Sequence, residues 1–199
     1  MVDHKVATPP GKSRDTAHAD PRIAKSRRAL HAALLALVAE TPFEEVTVAA
    51  ITKRAGVGYA TFFRHYPSTE ALLGDIADQW IGELLARVAP LVIAQDTHGA
   101  ALALASFVEA RRPLCRALLV GAGEVMRRDI TARAIAAAGG VETPVQPWLP
   151  RDLGIAHGVA ATLAILRWWL EADRQEDAAA VADIIDRLVF APLAQAADA

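Results

Sequence analysis

The chain has 199 residues, 53% of them hydrophobic and 22% charged, with a formal net charge of −2. That length allows one or two compact units with a sizeable buried core, and the composition excludes a mostly disordered chain. Near-neutrality excludes a uniformly basic nucleic-acid coat protein but not a local basic surface.

Alanine supplies 44 of the residues. It is the best helix former, and β-branched alternation is hard to find anywhere, so the expected fold is all-α with about nine helices. Residues 1–19 are polar, contain Pro and Gly, and read as a disordered tail. Asp20-Pro21 then marks a sharp helix start, a carboxylate cap followed by proline at the first helical position. This helix extends to about Glu40, with Ile23, Leu30, Leu34, Leu37 and Val38 on one stripe. Arg22, Lys25, Arg27 and Arg28 crowd its first turns against the helix dipole, an arrangement that a nearby anion would relieve. Thr41-Pro42 ends it.

Thr47 caps a short second helix over 48–55, closed by Gly56. A third helix occupies 58–66, and Pro67 stops it. Ser68 caps a long fourth helix carrying Leu72, Leu73, Ile76, Trp80, Leu84 and Val88 at helical spacing, with Pro90 as a kink or an end. Further helices are expected near 98–111, 113–121, 124–138, 152–172 and 177–194. Gly139 to Pro150 is the one long loop and holds Trp148.

Two short helices joined by the tight Ala55-Gly56-Val57 turn make a helix-turn-helix. Ala50, Ile51, Ala55, Val57, Phe62 and Tyr66 have the spacing of its packed face. Gly58, Tyr59, Ala60, Thr61, Arg64 and His65 are left towards the outside. The small residues allow close approach to a duplex; Tyr59 and Arg64 reach towards base edges, while Thr61 and His65 suit phosphate. A plain helical hairpin with exposed polar residues has the same spacing.

The stretch TVAAITKRAGVGYATFFRHYPSTEALL, from Thr47 to Leu73, resembles the N-terminal DNA-binding domain of the TetR family of bacterial transcriptional regulators. The likeness covers about 45 residues, from the first helix into the fourth. It implies a helix-turn-helix domain over 20–66 and a helical effector-binding and dimerisation domain over 67–199. Three positions depart from the family pattern. Phe63 stands where a tyrosine usually bonds a phosphate, Thr69 where a lysine usually follows the Ser68 cap, and Gly58 where a serine often caps the recognition helix. Phe63 is accordingly taken as a packing residue. Thr47 and Thr69 complete the expected DNA-facing set, and Arg27 and Arg28 are expected to compensate for the lost backbone contacts.

A single recognition helix reads only a few base pairs, so such proteins bind two-fold operators as dimers. In the eighth helix Ile155, Val159, Leu163, Leu166 and Leu170 form one apolar stripe, and Ala161, Ile165 and Trp168 another. With Ile184, Ile185 and Leu188 of the ninth, the second stripe is the expected dimer face. The family resemblance also implies an apolar effector pocket among the middle helices. Trp80, Phe107, Leu118, Met126, Trp148 and Trp168 are candidate walls, and Cys115, Arg116 and His157 candidate polar contacts. A small apolar effector suits them best.

The sequence holds no nucleophile elbow, phosphate loop, zinc-protease motif or cysteine pair, so neither catalysis nor a metal or cofactor is expected. The lone Cys115 excludes an intramolecular disulfide. The longest uncharged apolar run, Leu153 to Leu166, has 14 residues, short for a bilayer, and residues 1–20 lack the apolar segment of a secretory signal. A cytoplasmic protein without a membrane partner is the expectation. The reading is a homodimeric DNA-binding repressor released from a palindromic operator by an effector. The alternative is an all-α adaptor that binds protein and has lost DNA binding. Charge favours the former: residues 1–66 hold 10 Lys/Arg and 6 Asp/Glu, a net of +4, whereas residues 67–199 carry −6.

Overall fold

The computed structural model describes residues 21–121, 123–142, 146–171 and 176–194. The expected tail and the Asp20 cap lie outside these. Among the described residues the chain is helical throughout, without strands: α1 (Pro21–Glu40), a 3-10 turn (Phe43–Glu45), α2 (Val48–Ala55), α3 (Tyr59–His65), α4 (Thr69–Ile93), α5 (Thr97–Glu109), α6 (Arg112–Arg116), α7 (Gly123–Gly139), α8 (Arg151–Glu171) and α9 (Ala178–Ile185). Helices α6 and α9 each continue into a π-helical turn, Ala117–Gly121 and Asp186–Phe190.

Local chemistry sets the boundaries. Thr47, Ser68, Asp96 and Asp177 accept from the backbone N–H three residues on, at 2.8–3.2 Å, and so cap α2, α4, α5 and α9. The caps at Asp96 and Asp177 start α5 and α9 within a residue or so of their expected positions. Pro90 does not end α4, which runs one turn further to Ile93. The lost N–H bond is outweighed because Leu91 and Val92 pack against the core.

Helix α1 lies on α2, α3 and α4; α5 is sandwiched between α4 and α9; α7 bridges α4 and α8. Buried residues from Leu30 and Leu34 of α1, through Leu72, Leu73 and Ile76 of α4, to Trp169, Val181 and Ile185, form one continuous apolar cluster. The residues of 20–66 therefore share their core with those that follow. Helix α8 has 21 residues and is long and apolar enough to cross a membrane, beyond the 14-residue run, because it continues past Arg167 through Trp168, Trp169 and Leu170. In the fold, Trp169 and Leu170 are fully buried.

The end of α8 is fastened by two arginines of α6. Arg112 donates to the carbonyl of Trp169 at 2.8 Å and lies 5.0 Å from the centre of its ring. Arg116 donates to the carbonyl of Leu170 at 3.1 Å. Both serve carbonyls that a helix end leaves unpaired. Trp169 Nε1 donates to the carbonyl of Glu176 at 2.9 Å, which ties the approach to α9. Trp169→Ala is expected to cost about 3–5 kcal/mol in urea unfolding, as for a large buried aromatic, and Trp168→Ala much less.

Candidate nucleic-acid interface and apolar cavity

Gly56 ends α2 at φ 66°, in the left-handed region that glycine enters without a Cβ penalty. Its N–H bonds the Lys53 carbonyl and that of Val57 bonds the Thr52 carbonyl, a Schellman closure that turns the chain into α3. Ile51 and Phe62 are fully buried and Tyr66 nearly so, while Ala50, Ala55 and Val57 are half-buried. Thr52 is buried as well, a position with no apolar signal in the sequence; its hydroxyl donates to the Val48 carbonyl at 2.8 Å and is thereby satisfied.

The outer face of α3 is Tyr59, Ala60, Phe63 and Arg64, all exposed, with Gly58 beside them and Thr61 half-buried. Gly58 offers no side-chain cap. Thr47 is exposed, and its side chain is engaged in capping α2. Thr69 is half-buried and donates to Glu70. Phe63 is 53% exposed, so it is not the packing residue expected; Phe62 occupies the inward position and Phe63 follows one residue round the helix. Its ring meets Phe62 edge-on at 5.3 Å and lies 6.3 Å from that of Tyr59.

His65 and Arg27 both have partners within the fold. Nε2 of His65 shares a hydrogen bond with Ser26 Oγ at 2.8 Å, joining α3 to α1. Burial, together with the charges of Arg64 and Arg27, holds this imidazole below its usual pKa and disfavours a cation there. Arg27 grips Asp75 of α4 with two nitrogens and also reaches the Tyr66 hydroxyl at 3.2 Å. Tyr66 donates to the same carboxylate at 2.5 Å, and His31 lies 2.8 Å from it. The sequence calls for an anion near the cationic first turns of α1, and for Arg27 that anion is Asp75, 48 residues away. Arg28 is exposed and forms no ion pair among the described residues. At the far end of α1, Glu40 and Arg54 pair through two bonds of 2.7 Å and hold α2 in place.

Helices α4, α7 and α8 and the segment that follows α9 line an apolar cavity of about 260 Å³ that is partly open to solvent. Leu84, Val88 and Val92 face Ile155, Val159 and Leu163 across it. Ala134, Ala138, Gly154 and Gly158 keep it open because they leave volume unfilled. Among the described residues no charged side chain lines it; Gln95, Thr97 and Thr162 are the polar ones.

None of the expected aromatic walls lines this cavity. Trp80 and Phe107 meet edge-on at 6.2 Å, with the Arg111 guanidinium 4.9 and 3.9 Å from their ring centres, a closed cation–aromatic cluster between α4 and α5. Cys115 and Leu118 are buried elsewhere in the core, and Arg116 serves α8. Burial pushes the Cys115 thiol up to about 12. Trp148 is 76% exposed, and His157 and Trp168 also face outward. Met126 falls in α7, its side chain outside the described residues. Large rings fill space against one another, whereas the cavity forms where small residues meet aliphatic ones. Of the expected dimer face, Trp168 and Leu188 are exposed and Ala161, Ile165 and Ile184 half-buried, but Ile185 is fully buried in the core and cannot meet a partner.

Two outcomes are expected from these contacts. Asp75 is pushed up by burial but pulled further down by its bonds from Arg27, Tyr66 and His31, to about 2. A folded-state pKa below the unfolded one stabilises the fold above about pH 4, and that contribution is lost as pH falls towards 2. Asp75→Asn should therefore lower Tm at neutral pH and flatten its decline over that window in thermal scans. Cys115 should resist iodoacetamide in the native protein and react only after unfolding, as mass spectrometry would detect.

Comparison with known proteins follows the geometry. Residues 30–76 match the family model described as bacterial regulatory proteins, tetR family. No curated protein matches the chain by sequence. Among solved structures, a TetR transcriptional regulator from Streptococcus agalactiae 2603V is similar at TM-score 0.62 and 18% identity, over 86% of this chain and 97% of that one. FadR from Bacillus subtilis, solved with stearoyl-CoA, is similar at 0.62 and 14%, over 83% and 98%. NalD from Pseudomonas aeruginosa, the secondary repressor of the MexAB-OprM multidrug efflux pump, is similar at 0.61 and 17%, over 86% and 97%. Residues 30–76 are thus a TetR-family domain, set in a chain that has the TetR-family regulator fold.

Proposed function

We propose that this protein is a sequence-specific transcriptional regulator, a homodimeric repressor that leaves its operator when an uncharged apolar molecule enters the cavity. The observation that carries the DNA-binding part is the helix-turn-helix with the outer face of α3 open to solvent, in the N-terminal third of the chain, which has net positive charge. Docking α3 in a major groove brings Tyr59 and Arg64 to base edges, with Arg28, Thr47 and Thr61 towards phosphates. Residues 20–66 form the reading head and 67–199 the effector and dimer domain. NalD is a repressor, and FadR was solved with stearoyl-CoA, whose acyl chain is apolar. They support regulation by an apolar ligand as a reading for this chain.

Dimerisation is supported by α8 and α9. Only 28% of the most apolar 18 residues of α8 are buried within one chain, so a second partner is needed to cover the rest. Trp168, Leu188, Ala161, Ile165 and Ile184 are the contacts proposed, without Ile185. The proposed effector is uncharged because no described residue of the cavity offers a cation to a carboxylate or phosphate, and burying such an anion unpaired is costly.

Fluorescence anisotropy with the promoter region beside the gene tests the first part. The expected outcome is binding that depends on sequence and weakens with salt; its absence rejects the regulator in favour of the protein-binding adaptor. Arg28→Ala should reduce the magnitude of the log-affinity against log-salt slope by roughly 0.9 per subunit, with sequence preference retained. For the cavity, decanol should raise Tm by mass action and release DNA, while decanoate at the same concentration does neither. Leu84→Trp should abolish the decanol effect while DNA binding persists. Equal responses to alcohol and acid would reject the uncharged-effector reading.

A further inference from the structure

Phe63 is the one large apolar side chain on the outer face of α3 with no polar atom, and no contact in the fold accounts for its exposure. Its ring is held rather than loose: Phe62, fully buried, packs edge-on against one side at 5.3 Å, and Tyr59, one turn back, flanks it at 6.3 Å. Tyr59 and Phe63 are each about half exposed, so together they form a preformed aromatic ridge along the helix. Exposed cations stand on α3 and on the helices packed against it. Arg64 adjoins the ridge, and Lys53 and Arg28 are exposed on neighbouring helices. Charge complementarity therefore selects duplex DNA over another apolar protein surface.

A phenyl ring cannot bond a phosphate oxygen or the polar edge of a base. The major groove presents one prominent apolar feature, the C5 methyl of thymine. Resting on the DNA-binding reading above, we propose that Phe63 is a specificity-determining residue that reads thymine. The edge of its ring covers a C5 methyl, with Tyr59 and Phe62 fixing the ring before binding so that little side-chain freedom is lost. The family resemblance puts a phosphate-bonding tyrosine at this position; here the same position contributes to base choice instead of to backbone anchoring.

The test uses the full-length chain. Operators are selected from a randomised duplex pool with the wild type, Phe63→Ala and Phe63→Leu, each verified as folded by circular dichroism. The wild type and Phe63→Leu should select a half-site with a fixed thymine that Phe63→Ala no longer requires. Replacing that thymine by uracil removes only the methyl and should weaken wild-type binding about fourfold per replaced base, the value of one buried methyl group. The same replacement should leave Phe63→Ala unaffected. The salt slope should be the same for wild type and Phe63→Ala, since no phosphate contact is lost. Identical selected sites for wild type and Phe63→Ala, or an equal uracil penalty in both, overturns thymine reading while leaving the regulator intact. Failure to bind any duplex overturns both.

Discussion

The carboxylate of Asp75 is the interaction on which the arrangement of the head depends. It stands on α4 and accepts from Arg27 of α1 and from Tyr66 at the end of α3, with His31 of α1 also in reach. Three helices thus converge on one charge, which is half-shielded from water. Bonds from a guanidinium and a hydroxyl to a buried carboxylate are stronger than neutral ones and leave it no reason to be protonated. Tyr66 is affected in the opposite sense: burial and the neighbouring carboxylate raise its pKa, which keeps its hydroxyl a donor. A displacement of α4 relative to α1 breaks several of these bonds together. The orientation of the recognition helix is therefore linked to the position of α4.

That link gives the cavity its significance. Leu84, Val88 and Val92, on the same helix as Asp75, form one wall. In the proposed function, an occupant pressing on the C-terminal half of α4 acts on a continuous rod whose N-terminal turns carry the Asp75 node. The two ends of α4 differ in chemistry: one is a polar anchor to the head and the other is an aliphatic wall. Helix α8 is likewise two-sided. Its Ile155–Val159–Leu163 stripe lines the cavity, while Trp168 faces outward, so cavity and proposed dimer face are opposite sides of one element.

Much of this was legible in the sequence because it rests on local periodicity and capping. Nine helices, the Gly56 turn, the Thr47 and Ser68 caps and the inward positions of Ile51, Phe62 and Tyr66 each follow from residues within a few positions of one another. The family resemblance over residues 47–73 rests on the same local order. Where expectations failed, the deciding contact was distant. Arg27 pairs with Asp75, 48 residues away, a contact that its helical position does not foretell. Phe63 reads as a packing residue because its ring cannot bond the phosphate that the family's tyrosine bonds, yet it lies about 100° round the helix from the buried Phe62.

The cavity is the clearest case of what tertiary structure alone decided. Large aromatics were the natural candidates for its walls, but Trp80 and Phe107 close on each other and Arg111. The empty volume lies where Gly154, Gly158, Ala134 and Ala138 meet aliphatic side chains across helices. A cavity is a mismatch between surfaces far apart in the chain, and no sequence pattern records a mismatch. By itself, the sequence determined an all-α chain, a basic helix-turn-helix and an acidic remainder, because propensity, capping and charge are properties of single residues and their near neighbours. Tertiary packing decided which arginine is anchored, which phenylalanine is exposed and where apolar space remains, because each depends on the partner a side chain meets.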